Sequence, residues 1–409
     1  MSHGGQRDVV IIGGGIIGCS TAYYLSRHPS YSPSSTKITV LEASANGVAQ
    51  GASGKAGGSI AKWAYPREII DISFQEHVKL AEEHNGAERR GWRFVGCGNW
   101  EGKGEALGES GTDVGKGGQR KSLEKTLGFD ATAPIGVKPM RRADTGLPDD
   151  LTWVEEELTT SYSPMSDPGA TAQVHPYLFT TSMLGLAKER GVQLVLGTAI
   201  SVERVDRHVT GITYRDLSDP SHIETLPATH VVLSAGAWSS SIVPSLPIAA
   251  TRAHCVIISP KADVTISPYV LFTEIILPHS RLVSPEIYAR PDNEVYACGP
   301  GDDSALPGNI DDVEVDPAAC QSITNQVASI SREGTVEKNQ ACFLLVVRTG
   351  GGPIIGEAGK IAKGLYIATG HTCWGICNAP GTAKVIVELV MGEKVRSGNL
   401  SKLTPSKFL

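Results

Sequence analysis

The chain has 409 residues, 41% apolar and 20% charged, with 37 basic against 43 acidic side chains and a formal charge of −6. That length suits about two or three domains, and the apolar share excludes a wholly disordered or fibrous chain. The acidic balance argues against nucleic acid as the main partner.

Residues 8–12 are a short, β-branched apolar run, as expected of a buried strand, and three glycines stop it. Residues 16–27 read as a helix, a Ser/Pro stretch ends it, and residues 37–42 read as a second strand. This is a β-α-β unit, whose crossover implies a parallel sheet. Residues 49–59 are Gly, Ala and Ser without periodicity, and residues 69–84 follow as an amphipathic helix. Residues 102–125 have the composition of a flexible Gly-rich insertion. A helix is expected at 176–190 and strands at 192–196 and 230–234. Residues 252–299 look strand-rich and Pro-interrupted, as in a mixed or antiparallel sheet. A last strand is expected at 365–369 and a last helix at 379–391, with Pro380 early enough that its missing N–H costs nothing.

No window approaches the ~18 apolar residues of a membrane helix, and residues 1–8 lack a secretory pattern. The chain ends Ser406-Lys407-Phe408-Leu409, a peroxisomal tripeptide interrupted by Phe. The eight cysteines have no CxxC or zinc spacing, so no metal site is expected. The expectation is a cytoplasmic protein with reduced thiols, Cys373 and Cys377 among them.

Gly13-Gly14-Gly15-Ile16-Ile17-Gly18 is a G-x-G-x-x-G between strand and helix. Its glycines suit a tight turn, close approach to a pyrophosphate, and strand–helix packing. The helix start adds free N–H groups and partial positive charge. Glu42, at the end of the second strand, suits a ribose diol; Ala43 after it gives no sign of a 2′-phosphate. A dinucleotide carrying adenosine diphosphate is implied, but this motif does not separate FAD from NAD.

The chain resembles the D-amino-acid oxidase and glycine/sarcosine oxidase superfamily in four further places, and within it the fungal FAD-dependent oxidoreductases. The run from Gly51 through Ala52, Ser53, Gly54, Lys55, Ala56 and Gly57 to Gly58 resembles its second FAD-contacting loop. Gly370-His371-Thr372-Cys373-Trp374-Gly375-Ile376 resembles its C-terminal flavin loop. Gly197-Thr198-Ala199-Ile200 and Ala235-Gly236-Ala237-Trp238 match its adenine-side strand end and a later turn. The resemblance implies a Rossmann-like α/β FAD-binding domain from residues 1–65, 170–245 and 340–409. It also implies a mixed-sheet α+β substrate domain from 66–169 and 246–339.

The implied activity is FAD-dependent oxidation of a C–N bond in an amine or amino-acid-like small molecule. Hydride would pass to flavin N5, and O2 would accept the electrons to give H2O2. A dehydrogenase with another acceptor, or a non-catalytic FAD-binding module for sorting or assembly, are the alternatives. Trp63, Arg348, His371 and Trp374 are pocket candidates without an assigned catalytic role. Relatives that take free amino acids often carry a carboxylate-gripping Arg where this chain has Leu344. Arg348 or Lys62 would have to replace it; otherwise the substrate lacks a free α-carboxylate. Cys342 occupies the position of a flavin thioether in sarcosine-oxidase relatives, and a buried thiol with noncovalent FAD is the expectation.

Overall fold

The computed structural model describes residues 6–107, 145–219, 221–331 and 334–409. Most of the Gly-rich insertion expected at 102–125 lies outside them; its first two residues, Gly102 and Lys103, end a strand. The described residues fold around two eight-stranded sheets.

The centre of the first sheet is parallel: β1 (Arg7–Ile12) lies between β2 (Thr36–Glu42) and β11 (His230–Leu233). β8 (Gln193–Val205) extends it beyond β2, and β19 (Leu365–Thr369) beyond β11. Antiparallel strands finish both edges, β9 (His208–Asp216) and β10 (Ile223–Pro227) on one side and β18 (Ile354–Glu357) on the other. Side chains alternate across a strand. Val9, Ile11, Ile38 and Val40 therefore pack on helices α1 (Ile16–Ser26), α4 (Pro176–Lys188) and α6 (Gly375–Val390). Val10, Ile12 and Leu41 enter a second core on the other face. Burial on both faces explains the unbroken apolar run that opens the chain.

The second sheet is mixed. It runs β17 (Gly334–Val347), β12 (Ile248–Pro260), β16 (Glu294–Cys298), β15 (Glu286–Arg290), β13 (Tyr269–Leu277), β5 (Gly96–Lys103) and β6 (Thr159–Pro164). β14 (Arg281–Val283) pairs with β13, and only β5 and β13 run parallel among these described pairs. Ile287, Ala289, Val295 and Ala297 pack toward helix α5 (Pro317–Ala328). The alternate residues Tyr288, Tyr296 and Cys298 face the opposite way, into a core shared with Leu344. Residues 340–347, expected in the nucleotide-binding part, are thus in the second sheet. Short strands β3 (Ser59–Ala61), β4 (Arg93–Phe94) and β7 (Thr171–Gln173) form a third sheet.

Two local expectations change. The stretch 49–59 contains a one-turn helix, α2 (Ala52–Lys55). The last helix begins at Gly375, not 379, which places Pro380 in its interior. An interior proline removes a helical donor and crowds the carbonyl four residues back. Helix α3 (Ile70–Glu83) compensates: His77 Nε2 lies 3.0 Å from the Ile376 oxygen and 3.1 Å from that of Cys377, and Gly381 N–H donates to Ser73 Oγ at 3.2 Å. Among the described residues no helix is long and apolar enough to cross a membrane.

Candidate functional site

A cavity of about 480 Å³ runs along the C-terminal ends of the parallel strands, where open α/β sheets bind ligands. One wall is the turn after β1. Gly13, Gly15, Ile16 and Ile17 line it, while Gly14 and Gly18 stand behind it. Gly18 is there for packing: a Cβ would sit 2.0 Å from the Gly13 oxygen. Gly14 N–H donates to Glu42 Oε2 at 2.5 Å, and Ser44 N–H to Oε1 at 2.8 Å. Burial raises the Glu42 carboxyl pKa, and these N–H donors oppose the rise. Ser53 from α2 accepts the Ile16 N–H at 2.9 Å, joining the second loop to the start of α1.

Glu42, Ala43, Gly197, Thr198 and Ala199 line one end of the cavity. Ile200 does not; it is 40% exposed. The β8–β9 register slips between Ala199 and Ser201, so Ile200 is the extra residue of a bulge. Ala235, Gly236 and Trp238 line the side wall. A strap that the sequence did not announce, residues 306–310, crosses this region. Trp238 Nε1 donates to the Pro307 oxygen at 2.7 Å and Asn309 Nδ2 to the Ala43 oxygen at 3.0 Å. Just beyond, Asp311 accepts from Ser44 Oγ at 2.6 Å and Ala45 N–H at 2.8 Å.

At the other end the lining is Ala52, Ser53, Ala56, Leu344, His371, Gly375 and Ile376. His371 is fully buried, and burial lowers its pKa to about 3. Its Nε2 is 2.9 Å from Thr382 Oγ1. It is therefore a neutral, internally bonded group and poorly suited to be a base near neutral pH. Thr372 beside it holds φ +52°, an unusual backbone for a β-branched residue. Gly370 forms the preceding turn with φ +87° and does not line the cavity. Lys55 also turns away, its Nζ donating to the Ala341 oxygen at 3.0 Å.

Past Ala56, Leu344, Cys373 and Ile376 lies a smaller annex of about 60 Å³ that shares those four residues. Gly57, Gly58, Trp374 and Cys342 line it, with Phe272, Glu286, Tyr288, Tyr296 and Cys298 from the second sheet. Gly57 lies flat on the Tyr288 ring; a Cβ would come within 2.7 Å of it. Burial pushes the Cys342 thiol up to about 11, with Lys55 opposing. Among the described residues Cys373 and Cys377 form no disulfide.

The remaining candidates are elsewhere. Trp63 backs the annex without lining it, its ring edge-to-face with Trp374 at 5.3 Å and its Nε1 donating to Thr171 Oγ1 at 3.1 Å. Arg348 is exposed and donates to the Ile248 oxygen at 3.3 Å. Lys62 is exposed, its ammonium 4.9 Å from the Phe74 ring centre. Neither cation that was to replace the missing Arg lines either cavity. Sequence reasoning missed Phe272, Glu286, Tyr288 and Tyr296. In sequence the alternation Glu286-Ile287-Tyr288-Ala289 reads as a strand with one solvated face, whereas the structure buries the strand at every position.

The family profile described as FAD dependent oxidoreductase, DAO, matches residues 8–389. "Putative oxidoreductase TDA3" of Saccharomyces cerevisiae is 32% identical over 503 aligned positions, covering 99% of this chain and 95% of that protein. A Schizosaccharomyces pombe protein, also named a putative oxidoreductase, is 30% identical, with 99% of each chain covered. Iminodiacetate oxidase from Chelativorans sp. BNC1 shares the fold at TM-score 0.67 and 19% identity, over 97% of this chain and 98% of that one. Glycine oxidase from Geobacillus kaustophilus does so at TM-score 0.67 and 18% identity, over 98% of each chain.

Proposed function

The chain belongs to the FAD-dependent oxidoreductase family, and from that premise we propose that it oxidises a C–N bond of an amine or amino-acid-like substrate. FAD would be held noncovalently, and O2 would be the terminal acceptor, giving H2O2. One observation carries this reading: the long cavity and the annex meet at Ala56, Leu344, Cys373 and Ile376. A ligand filling the first and a small molecule in the second would touch there.

The residues present fit FAD. The Gly13–Gly18 turn and the start of α1 offer backbone donors to a pyrophosphate. Glu42 offers a buried acceptor to a ribose. Ala52, Ser53, Ala56, Gly375 and Ile376 leave room for a flat ring beside main chain. When bound, FAD supplies the two-electron acceptor, while the protein supplies position and electrostatics. The chain's own task is to hold the amine at the shared wall and to keep water out. Leu344 and Ile376 make that wall apolar. Neutral His371 adds no charge beside it. The substrate would give up a hydride from its C–H bond to the bound cofactor and a proton from its nitrogen to solvent, and the imine would be hydrolysed by bulk water after it leaves the site. The two large sheets are read as the FAD-binding and substrate-side halves, with residues 334–347 on the substrate side.

The test is anaerobic mixing of the yellow protein with a panel of primary and secondary amines and amino acids. Bleaching of the flavin band, restored by air with H2O2 release, is the expected result. Bleaching with slow recovery in air would make the protein a dehydrogenase. A flavin that no amine bleaches would leave a binding module and overturn the proposal.

A further inference from the structure

The annex is chemically biased. Glu286 and Tyr288 project from the same face of β15, and Tyr288 donates to Glu286 Oε2 at 2.7 Å. Glu286 is only 5% exposed. Around it stand Phe272, Tyr288, Tyr296 and Trp374. Their rings are in edge-to-face contact, Phe272 with Tyr288 at 6.5 Å and Tyr288 with Tyr296 at 5.4 Å; Trp63 links Phe272 to Trp374 at 6.2 and 5.3 Å. Trp374 Nε1 is buried and has no hydrogen-bond partner among the described residues. The described lining contains one carboxylate and no Lys, Arg or His. Arg290, further along the same strand face, is not in the lining: it donates to the Ala56 oxygen, pairs with Glu294 at 3.7 Å and lies over the Tyr296 ring, 5.0 Å from its centre.

Aromatic faces carry negative potential and attract alkylammonium groups, and the attraction grows when water is excluded. A carboxylate in the same small chamber adds to it, and repels an incoming carboxylate by the same field. We infer that the annex is an ammonium subsite, formed by Glu286 with the Phe272, Tyr288 and Trp374 rings. It selects primary or N-alkylated amines that enter as cations and carry no carboxylate beside the nitrogen. The inference rests on the amine-oxidation reading and narrows its substrate class. It also gives the Leu344 position a consequence: the chamber that lacks a basic side chain in its described lining contains an acidic one.

The experiment uses the FAD-loaded full chain under argon and measures binding of butylammonium, 1-butanol and butyrate by calorimetry. The three probes differ mainly in head-group charge. Butylammonium should bind at least ten-fold more tightly than either of the others. Glu286→Gln should reduce that preference to less than about three-fold, with FAD content and thermal midpoint retained. Should Glu286→Gln fail to fold, Phe272→Leu serves instead, and it should lower the preference for butylammonium over butanol several-fold. Tighter binding of butyrate, or an ammonium preference untouched by both variants, would overturn the subsite. Failure of the oxidase reading looks different: the ammonium preference persists while no amine bleaches the flavin.

Discussion

His77 Nε2 lies 3.0 Å from the carbonyl of Ile376, the acceptor that Pro380 cannot serve. A second contact reaches the Cys377 oxygen at 3.1 Å. Both partners are acceptors, so the ring must carry its proton on Nε2. Burial lowers the His77 pKa to about 4, which keeps the ring neutral near pH 7. One side chain of α3 thus completes the helix whose first turn lines the cavity.

Replacing His77 therefore has two expected effects. His77→Ala leaves two buried carbonyls without that donor and should cost about 1–3 kcal/mol of stability. The pH effect follows from the depressed pKa. Below about 6.5 the unfolded chain takes up a proton that the folded one refuses until about 4, so stability falls as pH drops through that window. Each unit of such a gap is worth roughly 1.4 kcal/mol at most. His175 and His371 act in the same direction. Thermal melts from pH 7 to 5 should show a falling midpoint, with a shallower slope in His77→Gln. Equal slopes would show that His77 does not titrate as described.

Glu42→Ala should weaken FAD binding. The carboxylate accepts the Gly14 and Ser44 N–H groups and lines the cavity end. Hydrogen bonds to a charged group are worth roughly 1.5–3 kcal/mol, so the dissociation constant should rise by at least about ten-fold. Fluorescence titration of the apoprotein reads this directly, and an unchanged constant would remove Glu42 from the site.

The strap gives a kinetic prediction. Asp311 ties it to Ser44 and Ala45 with bonds of 2.6 and 2.8 Å. Asp311→Ala should raise the FAD release rate by roughly ten-fold, about 1.4 kcal/mol of barrier, and change the binding rate less. Stopped-flow displacement would separate the two rates. A slower association with normal release would contradict a retaining role.

Cys342 should remain a thiol. Burial holds its pKa near 11, so it supplies little thiolate for a covalent bond. Acid precipitation should leave the yellow colour in the supernatant. Colour in the pellet that Cys342→Ala abolishes would show a thioether.

How much of this was legible in the sequence differs by element. The first β-α-β unit was readable because an apolar run, three glycines and a strand-end Glu42 act locally. The site end at Ile200 was misread because a bulge shifts the alternation by one residue, and bulges depend on the partner strand. Pro380 looked like a helix start because its compensation comes from His77, some 300 positions away. Glu286 was invisible for a related reason. A Glu alternating with apolar residues reads as a solvated face, and only the packing of loop 51–58 against Tyr288 turns that face inward. Arg348 shows the converse: proximity in sequence to the missing Arg did not bring it to either cavity.

The order of strands has a consequence for biosynthesis. β1 is paired with β11 and, through it, with β19, and the cavity lining runs from Ile12 to Ile376. A ribosome that has released the Gly13–Gly18 turn has yet to make Gly375 and Ile376. At roughly 5–20 residues per second, the delay is on the order of tens of seconds. For its first part, until His230–Leu233 is made, β1 lacks its neighbour on one edge, and to its end the nascent chain has no finished pocket for the nucleotide. Cofactor capture must therefore come late in synthesis or after it. Riboflavin starvation would then lower the yield of mature protein through an exposed, protease-sensitive apo-chain and leave the rate of translation unchanged.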